Sequence, residues 1–205
     1  MNTSDLFHKY ALNESIDYKS LDEKVIKELL EQIINDKNSS MARETAILKE
    51  AGVEPLEGKL NYDGIKNGKF IEVKLRNLDT NRENQSKLNG EGSYSDYTWE
   101  RYKKHSHDNP DLLVGGFIDG KLVYIFKFGY NDNSFQNRIK DRLTSFFGDI
   151  NSERRPNHYL RSLSFTYNHY SSDAELIYIA PKDFLCNNKQ YINKELFKRL
   201  MNESK

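Results

Sequence analysis

Residues 60–76 have the sequence LNYDGIKNGKFIEVKLR. Two segments that alternate apolar and polar side chains flank the dipeptide Asn67-Gly68, and this pattern is the strongest short-range signal for a β-hairpin with a two-residue type I′ turn. Counting outward from such a turn places Asp63 directly opposite Glu72 on the neighbouring strand. The stretch therefore predicts a hairpin in which two acidic side chains face each other.

The predicted register also assigns the two faces of the hairpin. Lys66 and Lys69 form the pair that closes the turn. Because side chains alternate along a strand, Glu72 and Lys74 share one face with Asp63. The other face is expected to be apolar and to be formed by Leu60, Tyr62, Ile71, Val73 and Leu75. We therefore expect one face to join the core and the other to carry chemistry.

Two carboxylates that face each other across a hairpin need a physical reason. Directly opposed side chains lie about 4.5–5.5 Å apart at Cβ, and like charges at that distance destabilise the pair. A divalent cation offsets the repulsion, since Mg²⁺ takes carboxylate oxygens together with water and phosphate oxygens. The alternative is a solvated hairpin in which Glu72 and Lys74 are ordinary surface residues, and the clean apolar alternation of the strand disfavours it.

In these residues the chain resembles the PD-(D/E)XK nuclease superfamily, which includes many type II restriction endonucleases and some resolvases and repair nucleases. Asp63 matches the first acid of the motif, and residues 72–74 (Glu-Val-Lys) match its E-x-K. The segment SMARETAILKEAG, residues 40–52, resembles the first core helix, and its Glu44 matches an additional acid found in several members. Two departures are a Tyr in place of the Pro that often precedes the first acid, and a short spacing of eight residues between the two acids.

The resemblance implies an activity and a role for each of these residues. The implied reaction is hydrolysis of DNA phosphodiesters with Mg²⁺ as the cofactor, for which Mn²⁺ can substitute. Asp63, Glu72 and the backbone carbonyl of Val73 would hold the metal ion, and Lys74 would orient or deprotonate the attacking water. Glu44 is a further candidate catalytic acid, and an exposed helical acid is the alternative for it.

The same resemblance leaves more than one substrate open. The first hypothesis is a type II restriction endonuclease that acts on double-stranded DNA as a homodimer, because a palindromic duplex site matches two-fold symmetry. The alternative within the enzymes is a Holliday-junction resolvase or repair nuclease with the same active site. A non-catalytic DNA-binding module of the same fold is the alternative from another class.

The rest of the chain predicts helices and strands around this hairpin. Apolar periodicity predicts helices at about 20–37, 40–51 and 134–147 and near the C-terminal NKELFKRLMN. A second hairpin is expected around Asp119-Gly120, and further strands at SLSFTYNHY and AELIYIA. The first helix is expected to cover the core with an apolar stripe formed by Val25, Ile26, Leu29, Leu30, Ile33 and Ile34.

These elements predict a mixed α/β fold with a central mixed β-sheet flanked by helices, and the resemblance implies a restriction-endonuclease-like core. No repeat or linker divides the sequence, so residues 1–205 are expected to form a single nuclease domain. Its catalytic core is expected at about 20–130, and the part from 131 to 205 is expected to serve DNA contact or dimerisation.

Two polar segments are candidates for DNA contact. Residues 77–97 follow the E-x-K strand directly and are rich in Asn, Ser, Gly and charged residues, which is typical of a functional loop. The candidates for phosphate or base contact in and beside this loop are Arg76, Arg82, Gln85, Lys87 and Asn89. The segment ERRPNHYLRS adds Arg154, Arg155 and Arg161 as candidates for phosphate contact. A solvated surface is the alternative for both segments.

The segment SYSDYTWERYKKH has helical character and is rich in aromatic residues. Tyr97, Trp99 and Tyr102 could stack on bases or could serve as half-buried packing residues. His105 lies two residues from His107 without the further ligands of a known zinc motif, so we expect both histidines at the surface.

Composition restricts the remaining possibilities. The chain is 37% hydrophobic and 30% charged with no net charge, so it predicts a folded protein and gives no global electrostatic indication of a nucleic-acid partner. Its single cysteine, Cys186, excludes an internal disulfide and a cysteine cluster for zinc, so any metal is expected on oxygen ligands. With neither an apolar span nor a secretory signal, a cytoplasmic protein without membrane contact is expected.

Overall fold

The fold is built around a mixed sheet that carries the predicted hairpin. The computed structural model describes residues 17, 19, 21–36, 40–56, 62–151 and 158–204. Its strands are β1 (Glu54–Pro55), β2 (Gly64–Lys66), β3 (Lys69–Leu78), β4 (Gly92–Tyr97), β5 (Asp111–Ile118), β6 (Lys121–Gly129), β7 (Leu160–Phe165) and β8 (Glu175–Ile179). Within the described ranges, six of them form one sheet in the order β1-β2-β3-β5-β6-β8, and β4 pairs with β7 in a smaller sheet.

Helices flank the larger sheet. They are α1 (Glu23–Asn35), α2 (Ser40–Glu50), α3 (Trp99–Asp108), α4 (Asn133–Phe147), α5 (Lys182–Asn187) and α6 (Lys194–Glu203). β3 and β5 pair in parallel, whereas the other neighbouring strands pair antiparallel. This arrangement confirms the prediction of a mixed α/β fold with a central mixed sheet flanked by helices. Of the helices in the described ranges, none is both long enough and apolar enough to span a bilayer.

One face of the sheet is covered by α2. Ile47 and Leu48 of this helix are buried in a cluster with Val73, Leu113 and Phe117, among other apolar side chains of the sheet. The helix approaches the sheet closely at Gly115, where a Cβ atom would lie 2.3 Å from Ile47 Cδ1. Glycine therefore allows α2, which carries Glu44, to lie directly on β5.

The opposite face is covered by a larger, aromatic core. The β4–β7 layer, α4 and α6 enclose it, and the Phe128 and Tyr170 rings stack at 4.3 Å between centroids. Phe135 and Phe165 meet edge to face at 4.9 Å in the same cluster. Burial of rings of this size supplies much of the apolar area that stabilises a fold. Both faces of the central strands are therefore packed, and β5 is buried along its whole length.

Two helices and one hairpin end or turn at the glycines that the sequence predicts for them. Asp119 and Gly120 both have positive φ between β5 and β6, which confirms the second hairpin. α4 ends before Gly148, which has a φ of +86°. α2 ends before Gly52, which has a φ of +62°, and Val53 N donates to Leu48 O at 2.9 Å as in a helix C-cap. The predicted C-terminal helix is confirmed as α6.

The first helix differs from its prediction in its apolar stripe. It begins at Glu23 after the N-cap Asp22, whose side chain accepts from Lys24 N. Val25 is buried, but half of the expected core stripe is exposed, namely Ile26, Leu30 and Ile33. The apolar side chains of α1 extend around more of its circumference than the rest of the protein covers. Part of its apolar surface is therefore exposed.

The aromatic segment at residues 93–105 is also corrected. Its first half is strand β4 and only its second half is helix α3, which begins after the N-cap Thr98. Thr98 Oγ1 accepts from Arg101 N at 3.2 Å, so the start of the helix is fixed by a side chain within the segment. Tyr97 and Trp99 are buried in the core, which favours their packing role over base stacking.

Candidate active site

The predicted hairpin is confirmed in its turn and in the register of three pairs, but these pairs end before Asp63, so the expected pair of Asp63 with Glu72 is not part of the ladder. Asn67 and Gly68 have φ values of +52° and +76°, as a type I′ turn requires. Lys66 pairs with Lys69, and the register continues to Gly64 opposite Ile71. β2 begins at Gly64, so the acid that precedes it lies at the strand end.

Asp63 remains attached to β3 although it precedes β2. Its backbone N donates to Ile71 O at 2.9 Å, and its side-chain Oδ2 accepts from Val73 N at 2.6 Å. The carboxylate therefore lies against the backbone of the E-x-K strand. A hydrogen bond from a backbone amide to a carboxylate is charge-assisted, so it fixes this side chain more firmly than a neutral contact would.

Glu72 and Lys74 form an ion pair on the same strand. Glu72 is only 7% exposed, and its pKa is raised, first because burial disfavours the charged carboxylate and also because Asp63 is close; Lys74 acts in the opposite sense. Lys74 Nζ also lies 4.7 Å from the centre of the Tyr94 ring, a cation–π contact. The lysine is thus held between a carboxylate and an aromatic face.

Glu44 joins these residues from α2. It is partly buried, and its pKa is raised by this burial and by the nearby carboxylates of Asp63 and Glu72, while Lys74 lowers it. Asp63 and Glu72 therefore act electrostatically on Glu44, and Asp63 acts on Glu72, although these acids come from a helix, a strand end and a strand. For Glu44, the half-buried position disfavours the alternative of an ordinary exposed helical acid.

The expected division of the hairpin into a core face and a chemical face is wrong in two ways. Tyr62 stacks on Phe70 at 4.7 Å and donates from its hydroxyl to Asp108 at 2.7 Å, so it does not join Ile71 and Val73. The chain bends before β2 begins, and strand alternation does not extend back to this residue. Leu60, which was assigned to the same face, lies outside the described residues.

The face that carries Glu72 and Lys74 is also covered. β4 crosses it at Gly92, where a Cβ would lie 2.8 Å from Lys74 Cβ and 2.4 Å from Phe165 Cζ. The absence of a side chain at this position lets β4 pack directly over the lysine. The candidate site is therefore enclosed between two sheets, where burial strengthens electrostatic interactions.

A buried polar network lies behind the site and was not predicted. His105, expected at the surface, is 4% exposed, and its Nδ1 is hydrogen-bonded to Tyr97 Oη at 2.7 Å. Tyr97 Oη is in turn 2.8 Å from Tyr130 Oη. The expectation is wrong because His105 lies on the inner face of α3, whereas His107 is exposed as predicted. A sequence signal existed in the three-residue spacing of His105 from Tyr102, which places both on a common face of α3, where both rings contact Tyr130.

Acidification should weaken the fold through His105. Burial lowers the pKa of this imidazole to about 4, with a further contribution from Arg101 and Lys74. The unfolded chain takes up a proton near the ordinary pKa of about 6.5, so the free energy of unfolding should fall by up to about 3 kcal/mol between these two values as pH is lowered. Urea unfolding of the parent and of His105→Asn over this range measures the effect.

The His105→Asn variant keeps a polar atom near Tyr97 but cannot titrate. Its free energy of unfolding should therefore depend less on pH than that of the parent. The raised pKa of Glu72 acts in the opposite direction, but it is present in both proteins and cancels in the comparison. Identical pH slopes for the two proteins would exclude His105 as the cause.

The predicted DNA-contacting loop is shorter than expected, and its two ends are joined by contacts within the protein. β3 continues to Leu78 and β4 begins at Gly92, so the loop comprises residues 79–91. Arg76 pairs with Glu91 and donates to Ser86 O at 2.8 Å. These contacts hold the two ends of the loop together, so Arg76 in this structure has an internal partner.

Of the other candidate DNA contacts, Arg82 and Gln85 line one cavity of about 350 Å³ together with Arg76. Arg82 pairs with Asp79 at 3.1 Å, and Gln85 Nε2 donates to Asp79 O at 2.7 Å. Lys87 and Arg161 are exposed, and the buried Asn89 Oδ1 has no hydrogen-bond partner among the described residues. Arg154 and Arg155 lie outside the described residues. The structure thus brings the four catalytic candidates together. Of the six DNA candidates that it describes, Arg76, Arg82 and Gln85 share a cavity, and the other three do not line it.

The carboxylates of the candidate site suit Mg²⁺, a cation that needs few protein ligands. Among the residues the structure describes, no cluster of three or more His, Cys, Asp or Glu side chains has the geometry of a metal cage. Mg²⁺ does not need such a cage, since it is usually held by one or two carboxylates and keeps several waters. Asp63 and Glu72 supply two carboxylates whose mutual repulsion raises the Glu72 pKa, and a cation between them would offset that repulsion.

Comparison with known proteins gives no further indication of function, since no family model and no curated protein matches the chain.

Proposed function

We propose that this chain is a magnesium-dependent endonuclease with a restriction-endonuclease-like core, which hydrolyses phosphodiester bonds of double-stranded DNA. The main support is the gathering of Glu44, Asp63, Glu72 and Lys74 around the first half of β3, where Asp63 and Glu72 act on Glu44 and Asp63 acts on Glu72. Like charges that are partly buried together destabilise a fold unless they bind something positive. Their retention beside one lysine suits phosphodiester hydrolysis.

Each residue has a distinct part in the proposed reaction. Asp63 and Glu72 would hold Mg²⁺, with the carbonyl of Val73 as a further ligand, and the ion when bound supplies positive charge to the phosphoryl oxygens. Lys74 would orient the water that attacks phosphorus in line, and the Tyr94 ring would keep its side chain in place. As the new P–O bond forms, the attacking water gives a proton to solvent, the bond to the leaving oxygen breaks, and that oxygen takes a proton from solvent.

The proposed substrate is a duplex site cut by a type II restriction endonuclease. Such an enzyme acts as a homodimer, because two copies related by a two-fold axis present identical sites to the two strands of a palindrome. The position of Glu72 and Lys74 on a strand of the central sheet suits this task, since precise positioning of the attacking water accounts for much of the rate of hydrolysis.

Cleavage should depend on pH in a direction fixed by the buried acids. Because the pKa values of Glu72 and Glu44 are raised, these groups stay protonated at a pH where a free carboxyl is already ionised. A protonated carboxyl binds a cation poorly, so cleavage at subsaturating Mg²⁺ should fall as pH is lowered, and excess Mg²⁺ should restore it. A rate that is insensitive to the Mg²⁺ concentration at low pH would contradict this assignment.

The experiment that tests the function is incubation with plasmid DNA and with a four-way junction, with Mg²⁺ or with EDTA. Discrete linear fragments that require Mg²⁺ are expected. Cleavage of the junction alone would replace the restriction enzyme by a resolvase with the same site. No cleavage of either substrate with Mg²⁺ or Mn²⁺ would overturn the nuclease proposal and favour a non-catalytic DNA-binding module.

A further inference from the structure

A basic groove lies outside the candidate active site, between the loop at 79–91 and the C-terminal segment. It has a volume of about 640 Å³, and its lining includes Lys87, Cys186, Lys189, Lys194, Phe197 and Lys198. The loop is fastened to this segment, because Leu88 N donates to Tyr191 O at 2.8 Å and Asn193 N donates to Leu88 O at 2.7 Å. The groove is therefore formed by segments that are distant in sequence.

The charge of this groove is unusual for a chain with no net charge. Four lysines line it, and within the described part of the chain its lining includes no carboxylate. Lys198 pairs with Glu195 at 3.5 Å, and Glu195 is not among the lining residues. Lys194 is the first residue of α6, where the helix dipole already disfavours a positive charge. Such a concentration of like charge is typical of a surface that meets an anion.

The groove is connected to the candidate active site through the loop. Arg76, two residues beyond Lys74 on β3, donates to Ser86 O at 2.8 Å and to Ser86 Oγ at 2.9 Å. Lys87 follows Ser86 directly and enters the groove. An extended polyanion could therefore contact both regions, whereas a small ligand would occupy only one.

We propose that this groove binds the phosphodiester backbone of the substrate duplex away from the cleaved bond. The inference rests on the proposed function. Lysine side chains supply point charges that attract phosphates without reading base sequence. The lysines are exposed and come from three segments, which suits contact with several successive phosphates of one backbone.

Charge removal tests the proposal. Lys189→Gln/Lys194→Gln is compared with Lys24→Gln/Lys27→Gln, a matched pair of exposed lysines on α1. Duplex affinity is measured in EDTA at several NaCl concentrations. The groove variant should bind about 30-fold more weakly near about 0.15 M salt, with a log–log salt slope smaller by about 2, because two phosphate contacts are lost. The control pair should bind like the parent; equal affinities and slopes for all three proteins overturn the proposal.

Cys186 provides a second measurement that does not require cleavage or substitution. It is the only cysteine of the chain, and it is exposed within the groove. Duplex DNA should slow its alkylation by N-ethylmaleimide at least several-fold. Protection without any Mg²⁺-dependent cleavage would keep the groove and overturn the nuclease. Cleavage without protection of Cys186 would support the nuclease and overturn the groove as a DNA-binding surface. Equal protection by inorganic phosphate at the same phosphate concentration would show that the groove binds a free anion and not the DNA backbone.

Discussion

Replacement of Lys74 by methionine is expected to lower the rate of DNA cleavage by about 10³-fold, the usual scale for loss of a group that positions or activates the attacking water. Methionine keeps the length of the side chain and can still pack on the Tyr94 ring, so the fold should remain intact. The buried Glu72 loses its positive partner and should remain protonated to a higher pH. Single-turnover cleavage, with circular dichroism as a check on folding, measures the effect.

The matched control for this variant is Lys69→Met in the same hairpin. Lys69 pairs with Asp111, but Asp111 also lies 3.2 Å from Lys127, so it keeps a positive partner after the substitution. Lys69→Met should cleave at nearly the parental rate. If Lys74→Met also cleaves at the parental rate, the role proposed for Lys74 is wrong, whatever the identity of the nuclease.

Replacement of Asp63 by asparagine should remove metal binding and leave the hairpin in place. The asparagine Oδ1 can still accept from Val73 N, which Asp63 binds at 2.6 Å, but the negative charge is lost. Cleavage at a fixed Mg²⁺ concentration should fall by about 10²–10³-fold, and calorimetry should show a large loss of Mn²⁺ affinity. Excess Mg²⁺ should recover part of the activity.

Asp132→Asn is the control, because Asp132 also accepts from a backbone amide. Its Oδ2 lies 2.7 Å from Gly129 N, outside the candidate site. Asp132→Asn should therefore show how far the change from acid to amide alone alters the free energy of unfolding. Its Mn²⁺ affinity should equal that of the parent. Unchanged Mn²⁺ binding in Asp63→Asn would show that the cation, if bound, lies elsewhere.

Local features of the fold were predictable from the sequence because their physical causes are local. The Asn67-Gly68 turn needs two residues that tolerate positive φ, and it fixes the register of the hairpin for three pairs. The glycine that ends α2 acts over a few residues in the same way. Asp63 lies just beyond that register and is attached to the E-x-K strand by its own bonds to Ile71 O and Val73 N.

What the sequence did not predict depends on contacts between distant segments. β4 covers Lys74 because it pairs with β7, some 70 residues later in the chain, and alternation within β3 carries no information about that pairing. His105 is buried because β4 and Tyr130 close over α3. Tyr62 leaves its expected face because Asp108 supplies a hydrogen-bond partner for its hydroxyl. Each of these positions is decided by tertiary packing rather than by periodicity.

The close contact between α2 and β5 has a consequence for the spacing of the acids. Gly115 lies on a strand that contributes none of the candidate catalytic side chains, yet its missing Cβ determines how near Ile47, and with it the helix bearing Glu44, comes to the sheet. The distance between Glu44 and the other two carboxylates therefore depends on Gly115, whose side chain is only a hydrogen atom and takes no part in the proposed reaction. A bulkier residue at position 115 would push α2 away from β5 and so move Glu44 away from Asp63 and Glu72.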